Sequence, residues 1–204
     1  MSTHAKAAAK FLADRERAAW HDRALFHVRE KRDRMAHAVP EWEALRQAAS
    51  EIKLHTLSHL GRYLEEFERN ATANGMVVHW ASDAREMNRI VLDILRRHGG
   101  RTLIKSKSML SEECGLAPFL AGQGIDAVES DLGERIMQLM HRPPSHIVLP
   151  AIHVRREEVG ELFERELGTA RGDSDPTYLT HEARKHLRGK FLTAFSTATA
   201  QQLF

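Results

Sequence analysis

The first 75 residues show the spacing of apolar positions that is typical of helices. From Trp42 onward, apolar side chains recur every three or four residues, which is the repeat of one helix face. The members of this face are Trp42, Leu45, Ala49, Ile52, Leu57, Leu60, Leu64 and Phe67. Asn74-Gly75 predicts its end. The stretch 5–36 has patchier apolar positions and predicts a solvated or partner-contacting helix that breaks at Val39-Pro40. The sequence therefore predicts an N-terminal helical arm over residues 1–75.

After Gly75 the pattern changes to short apolar runs that alternate with amphipathic stretches. The runs predict four strands, at residues 76–80, 102–104, 125–128 and 146–149. The amphipathic stretches predict five helices, at residues 83–97, 111–120, 133–141, 155–167 and 178–195. Strands that alternate with helices indicate βαβ units. Residues 76–204 are thus predicted to form an α/β domain, with a mostly parallel sheet and flanking helices.

Two local signals refine this prediction. Asp83 and Glu86 occupy the positions of a capping box, so the first of these helices should begin after Asp83. The segment that follows Phe195 has no pattern of either a helix or a strand.

Composition and charge exclude several classes of protein. The chain has 204 residues and carries 30 Lys and Arg against 28 Asp and Glu, a net charge of +2. This balance is not that of a dedicated nucleic-acid binder, and no stretch approaches the ~20 apolar residues that span a bilayer. Because there is no secretory signal and only one cysteine, Cys114, we expect a cytoplasmic protein.

Polar segments follow the predicted strands, at the edge where open parallel sheets bind their ligands. Lys105-Ser106-Lys107-Ser108 lies between a strand and a helix start. Its two cations, two hydroxyls and the helix N–H groups are suited to a carboxylate or a phosphate. A solvated polar loop explains the same residues, and the glycine spacing of a P-loop is absent. Glu129 and His153, at two further strand ends, complete the candidate ligand-binding set.

Glu129 and Asp131 leave two interpretations open. They are placed to pair with Lys105 or Lys107 on a neighbouring strand. They are equally placed to cap the helix that contains Gly133, which is the more common role of such residues.

Neither the histidines nor the cysteine predicts a metal or catalytic site. Among 13 histidines, His55 and His59 have the spacing of a zincin pair, but Thr56 stands where the catalytic Glu would be. Cys114 lies near a helix start, beside two acidic residues that oppose thiolate formation, so a small buried residue is the favoured interpretation. The motifs G-x-S-x-G and G-x-G-x-x-G are both absent.

Four motifs give the chain a resemblance to a known family. They are KSKSM at 105–109, EECGL at 112–116, ESDLGE at 129–134 and PPSHIVLPAIH at 143–153. In this combination, together with the helical arm before it, the chain resembles the N-terminal part of the lactate utilization protein B family, which contains a LUD domain. The resemblance covers most of the chain.

The resemblance implies a fold and a role. Members of that family are cytoplasmic iron–sulfur subunits of a bacterial complex that oxidises L-lactate to pyruvate. Their LUD domain has an α/β fold like that of CoA transferases and ribose-phosphate isomerases. Longer members carry a ferredoxin-like region that binds two 4Fe–4S clusters for electron transfer. The implied partners are other subunits of a lactate utilization complex, or further copies of the chain, with no nucleic acid and no membrane span.

The sequence departs from this pattern after Ala194. It runs into STATAQQLF, without the ferredoxin-like region or the further strands of the domain. We therefore expect a truncated, partner-binding or remnant form with no cofactor of its own, and marginal stability or oligomerisation because a sheet edge is left open. Two alternatives are a stand-alone module or enzyme for a small anionic metabolite at Lys105–Met109, and an interaction protein that acts through residues 5–70.

Overall fold

A computed structural model describes residues 3–193 and 196–199 of the chain. The chain divides into two compact units, with the boundary between His79 and Trp80. The first unit is helical and the second is built around a small sheet.

The first unit is helical, as the apolar spacing predicts, but its described residues form four helices where two were predicted. They are α1 (Thr3–Ala13), α2 (Arg15–His37), α3 (Trp42–Ser58) and α4 (Leu60–Ala73). The Asp14 carboxylate starts α2 by accepting a hydrogen bond from the Arg17 amide. The predicted break at Val39-Pro40 is confirmed, whereas the face that begins at Trp42 is divided at His59 into two helices.

The strand predicted at residues 76–80 is wrong. In this part of the described chain there is no strand, and Val77 is 78% exposed. The local reason is the end of α4. Gly75 adopts a left-handed backbone, with φ 80°, and the Met76 amide donates to the Ala71 carbonyl. This turn caps the C-terminus of α4. Because Met76 takes part in the turn, the apolar run does not begin a strand.

The second unit follows the alternating order of helices and strands. Its helices are α5 (Ala84–Arg97), α6 (Met109–Glu113), α7 (Leu116–Ala121), α8 (Leu132–Leu139), α9 (Arg156–Leu167) and α10 (Pro176–Thr193). The predicted N-cap of α5, Asp83, is confirmed, but the Glu86 side chain binds the amide before the N-cap and so does not close a capping box. Asp83 accepts from the Glu86 amide, and the Glu86 carboxylate accepts from the Ser82 amide. The helix predicted over 111–120 is instead divided at Gly115, whose φ is 64°.

In the described part of the chain, three parallel strands form the sheet. They are β1 (Thr102–Ser106), β2 (Asp126–Glu129) and β3 (Ser196–Thr199), in the spatial order β2-β1-β3. The predicted α/β fold is confirmed, and so are the strands at 102–104 and 125–128. The expectation of no strand after residue 195 is wrong for 196–199, which pair with β1. Residues 194–195 and 200–204 lie outside the described part of the chain.

The strand predicted at 146–149 is also wrong. The His146 ring accepts hydrogen bonds from the Val148 and Leu149 amides, which closes a turn. A side chain that binds nearby backbone groups competes with strand pairing. Ile147 and Val148 are consequently 67% and 66% exposed, so this apolar run does not enter the core.

Two apolar clusters form the core of the second unit. One lies between α5, α7 and the sheet, and consists of Leu92, Leu95, Leu103, Leu116, Leu120, Ile125 and Ala127. The other joins α8, α9 and α10, and consists of Ile136, Met137, Val154, Leu162, Phe163, Leu179 and Ala183. Together they fix the helices that surround the carboxyl ends of β1 and β2.

Candidate functional site

Two charged residues are buried where β1 and β2 end. Lys105 and Glu129 are paired in the parallel register of the two strands, and only 2% and 4% of each residue is exposed. Side chains alternate along a strand, so Lys105 projects from the same face of the sheet as Leu103. The Lys105 and Glu129 side chains therefore place two charged groups in a buried layer that is otherwise apolar.

The Lys105 ammonium contacts two carboxylates. Its Nζ lies against Oε1 of Glu129 and is 2.6 Å from Oε1 of Glu112 on α6. The position of Glu112 follows from the helix start. Ser108 is the N-cap and accepts from the Ser111 amide, while the Ser111 hydroxyl donates to the Ser108 carbonyl at 2.8 Å. This tight first turn brings Glu112 over the strand end.

A third carboxylate comes from α8. Glu134 is 5% exposed, and its helix begins at Asp131, which accepts from the Glu134 amide. The Glu134 carboxyl lies beside that of Glu129 and raises the pKa of Glu129. We call Lys105, Glu112, Glu129 and Glu134 the charge cluster.

The Gln138 side chain forms hydrogen bonds with backbone groups on the free edge of β2. Its Oε1 accepts from the Glu129 amide at 3.2 Å, and its Nε2 donates to the Ala127 carbonyl at 2.6 Å. The side-chain amide thus binds the same two backbone groups that a neighbouring strand would bind. These hydrogen bonds fix α8, and with it Glu134, against the edge of the sheet.

A cavity of about 90 Å³ opens beside the charge cluster. We call it the acidic cavity. Its lining is Glu112, Ala117, Glu129, Glu134, Gln138, Arg142 and Pro144. Arg142 reaches this place because α8 ends in a left-handed turn. His141 has φ 54°, and the Arg142 amide donates to the Met137 carbonyl.

Burial and hydrogen bonding set the ionisation of the cluster. Burial lowers the pKa of Lys105, but hydrogen bonds to Glu112 and Glu129 outweigh it and raise that pKa above its ordinary value. Burial raises the pKa of Glu112, yet the hydrogen bond with Lys105 outweighs it and leaves the pKa lowered. Burial raises the pKa of Glu129 to about 9, against the opposing effect of Lys105. At neutral pH Glu129 therefore holds a proton, and the Lys105 ammonium faces the Glu112 carboxylate.

The structure brings some of the predicted site residues together. Lys105 and Glu129 are in contact, and the Lys107 ammonium is 2.8 Å from the Asp131 carboxylate. Ser108 is buried as a helix cap, and Ser106 is the last residue of β1. The binding of an anion by this set stays a prediction, and both of its ammonium groups are occupied by carboxylates.

Asp131 fulfils both interpretations of the acidic residues, whereas Glu129 fulfils only the pairing. Asp131 both caps α8 and pairs with Lys107. Glu129 makes no cap and pairs with Lys105. His153 lies in the turn before α9, where its Nδ1 is 2.7 Å from the Ser145 hydroxyl.

Sequence reasoning missed Glu134, Gln138 and Arg142, and it considered Glu112 only at a helix start, as an acidic neighbour of Cys114. One signal was available. Glu134 and Gln138 are four residues apart, so they share a helix face, and that face adjoins the apolar Ile136 and Met137. A carboxylate and an amide on the inner side of a short helix indicate a buried polar site.

This chain offers few ligands for an iron–sulfur cluster or a metal ion. A 4Fe–4S cluster is held by about four cysteine thiolates, and the sequence contains one, Cys114. The residues present therefore do not fit such a cluster. In the described part of the chain, no group of three or more His, Cys, Asp or Glu is arranged to hold a metal ion.

The helices of the described residues are too short or too polar to cross a bilayer. Over residues 3–193, none combines the length and the apolar character that crossing a membrane requires.

Comparison with known proteins identifies the family. The LUD domain family matches residues 64–196, well over half of the chain. Lactate utilization protein B of Exiguobacterium sp. is 42% identical over 167 residues, which are 82% of this chain and 35% of that protein. Lactate utilization protein B of Geobacillus thermodenitrificans is 42% identical over 154 residues, 75% of this chain and 32% of that protein.

A third relative has a different name. The uncharacterized electron transport protein YkgF of Escherichia coli is 37% identical over 163 residues, 80% of this chain and 34% of that protein. The chain thus spans about a third of the length of the curated relatives that it matches. No solved structure matches it. On the extent of the family match and the identity to these relatives, the chain belongs to the LUD domain family.

Proposed function

We propose that this chain acts in the use of L-lactate, as the LUD-domain part of a system that oxidises L-lactate to pyruvate. The observation that carries the proposal is the 42% identity to Lactate utilization protein B of Exiguobacterium sp. over 82% of the chain. The name of the relative from Escherichia coli, an electron transport protein, accords with an oxidation.

In this proposal the chain is a cytoplasmic binding subunit. One cysteine does not hold a cluster, so electrons pass through thiolate-bearing segments or subunits other than these 204 residues. The helices α3 and α4 carry a row of exposed apolar side chains that supports partner binding. Its members are Trp42, Leu45, Ile52, Leu57, Leu60, Leu64 and Phe67.

The test is growth on L-lactate as sole carbon source. We expect that deletion of the gene that encodes this sequence, in its own organism, abolishes growth on L-lactate. Growth on pyruvate should be unchanged, because pyruvate enters metabolism after the proposed step. The gene supplied in trans should restore growth on L-lactate, which excludes an effect of the deletion on neighbouring genes. Normal growth of the deletion strain on L-lactate would overturn the proposal.

A second candidate function is a stand-alone module for a small anionic metabolite near Lys105–Met109. One observation favours it. The Lys107 side chain belongs to the same loop and is 57% exposed, so an anion can reach it. The test is ligand binding by the purified chain, with inorganic phosphate and short carboxylates as probes. No binding of either probe would exclude this candidate.

A further inference from the structure

Two histidines lie side by side in the first unit. His55 is near the end of α3, and His59 follows four residues later, between α3 and α4. Helical hydrogen bonds continue on both sides of His59, because its amide donates to the His55 carbonyl and the Tyr63 amide donates to the His59 carbonyl. The two rings are stacked, with centroids 4.4 Å apart. They therefore share one helix face, at the spacing that lets two histidines bind one metal ion.

The hydrogen bonds of the two rings leave a nitrogen of each for a metal. Nδ1 of His59 is 2.8 Å from the His55 carbonyl oxygen. A carbonyl only accepts, so Nδ1 carries the proton and Nε2 of the neutral ring carries the lone pair. On His55, Nε2 is 3.0 Å from the Tyr63 hydroxyl. Histidines that ligate zinc usually hold an oxygen through their other ring nitrogen, because this second contact orients the ring.

Two histidines are only half of a zinc site. Zn²⁺ in proteins takes four ligands in a tetrahedron, and at least three of them normally come from protein. Within the described residues of one copy, no group of three or more His, Cys, Asp or Glu is arranged to hold a metal ion. The remaining ligands must therefore come from a second molecule, and His55 and His59 are both exposed to it. The missing zincin glutamate excludes that type of catalysis, but it does not affect metal binding.

An apolar surface adjoins the histidine pair. Ile52 lies three residues before His55, and Leu60 and Leu64 follow His59. They belong to the row of exposed apolar side chains on α3 and α4, whose members are 37% to 68% exposed. With about 150–200 Å² for each large side chain, the row offers roughly 600 Å². A stable interface buries about 800 Å² on each partner, so the row alone supports only weak association.

The charges of α3 allow two copies of this surface to meet. Glu43 and Glu51 balance Arg46 and Lys53 along the helix, so like surfaces carry no net charge that would repel. A strongly charged partner would find no opposite charge on this helix, whereas a second copy needs none.

We propose that two copies of this chain associate through α3 and α4 around one Zn²⁺, which is bound by His55 and His59 of each copy. Four imidazoles fill a tetrahedral site, and a two-fold axis through the ion brings each pair to the other. The same axis places the apolar rows against one another, so that the metal bonds supplement an interface too small to be stable alone. This inference is independent of the proposed function.

Sedimentation equilibrium tests the inference on the full chain, without an added histidine tag and after treatment with EDTA. We expect the dissociation constant of the dimer to fall about 100-fold when Zn²⁺ is supplied at one ion per two chains. Calorimetry should give the same stoichiometry, one Zn²⁺ per two chains. Renewed addition of EDTA should restore the weaker association of the metal-free chain.

Variants separate the metal ligands from the rest of the surface. His55→Gln and His59→Gln should each weaken the zinc-dependent association at least about tenfold. His27→Gln is the matched control, since that exposed histidine of α2 has no histidine four residues before or after it. Ile52→Glu should weaken association with and without Zn²⁺, because it places a charge in the apolar surface. All four positions are exposed, so circular dichroism should show an unchanged helix content.

Three results overturn the inference. They are an unchanged mass after addition of Zn²⁺, binding of one Zn²⁺ per chain without dimerisation, and zinc-dependent association that persists in both His55→Gln and His59→Gln. An equal loss in His27→Gln also overturns it, because association would then depend on surface histidines in general. Unchanged association of Ile52→Glu would refute the packing of the two apolar rows.

Discussion

Lys105 is a buried cation that links β2, at the edge of the sheet, to α6. Its ammonium contacts Glu129 on β2 and Glu112 on α6. Loss of one partner of a buried pair leaves an uncompensated charge. We therefore expect Lys105→Met to lower the free energy of unfolding by about 3–5 kcal/mol, as measured by urea denaturation followed by circular dichroism.

Lys107 provides the matched control for that variant. It is two residues away and also pairs with a carboxylate, that of Asp131, but 57% of its side chain is exposed. Exposed pairs contribute about 0–1 kcal/mol, so Lys107→Met should change the free energy of unfolding by no more than that. Equal losses in the two variants would show that the burial of Lys105 is not what makes it important.

Glu129 should make stability depend on pH. Its pKa rises from an ordinary 4.5 to about 9 in the folded chain, chiefly through burial. Between these values the folded state keeps a proton that the unfolded state has released. The contribution of Glu129 is therefore fully present below its ordinary pKa and is lost as pH rises through about 9.

The variant Glu129→Gln checks this effect, because it keeps the shape but does not ionise. Thermal melting between pH 5.5 and 9 should show a smaller fall in melting temperature for the variant than for the unchanged chain. Titration of the other groups is common to both proteins and cancels in the difference. Parallel pH curves would contradict a raised pKa at Glu129.

At the scale of elements, Gly160 decides how closely α9 approaches the loop before α10. A Cβ at this position would lie 2.7 Å from the Asp173 carbonyl oxygen, which is backbone and does not move aside cheaply. We expect Gly160→Ala to lower the free energy of unfolding by about 1–3 kcal/mol, the range of overpacked sites. Chemical denaturation measures this loss.

The control is Gly189→Ala in α10. A Cβ there meets nothing within 4 Å. Alanine is the better helix former by roughly 1 kcal/mol, so this substitution should be neutral or stabilising. A loss at Gly189 as large as that at Gly160 would contradict the packing argument.

The sequence predicts an element well where contacts between residues close together in the chain determine it. The start of α5 was predictable because Asp83 and Glu86 bind backbone amides within four residues of themselves. The run at 146–149 was not, because the His146 ring closes a turn where apolar side chains suggested a strand. The strand at 196–199 was missed because it is stabilised by pairing with β1, a partner distant in the sequence.

The same distinction applies to the candidate site. Lys105 and Glu129 were predictable as a pair, since both end strands and parallel strands end at one edge. Glu134 and Arg142 were not. Their approach to the cavity depends on how α8 is held by Gln138 and on the left-handed turn at His141. Neither is visible in the spacing of apolar residues.

At the scale of the whole chain, burial differs strongly between the two units. Within the described residues, α2 and α3 contain no buried residue and α4 contains one, Ala71. The second unit contains two apolar clusters. Helices without a buried face have little tertiary stabilisation, so they open more readily than packed elements.

Hydrogen exchange measures that difference. We expect the amides of α2 and α3 to exchange much faster than those of α5 and β1 when the isolated chain is studied. Slow exchange throughout α3 would show that its apolar row is covered, by a second copy or by another partner. Comparing dilute and concentrated samples distinguishes a second copy, since only self-association depends on protein concentration.

The strand order has a consequence for how the chain is made. The central strand β1 pairs with β2 soon after both leave the ribosome, but its other side is completed only by β3. Between the end of β2 and the start of β3 lie 66 residues. At roughly 5–20 residues per second, one edge of β1 is open for roughly three to thirteen seconds of translation. Protection of the nascent chain during this interval, rather than the final packing alone, therefore influences the yield of folded protein.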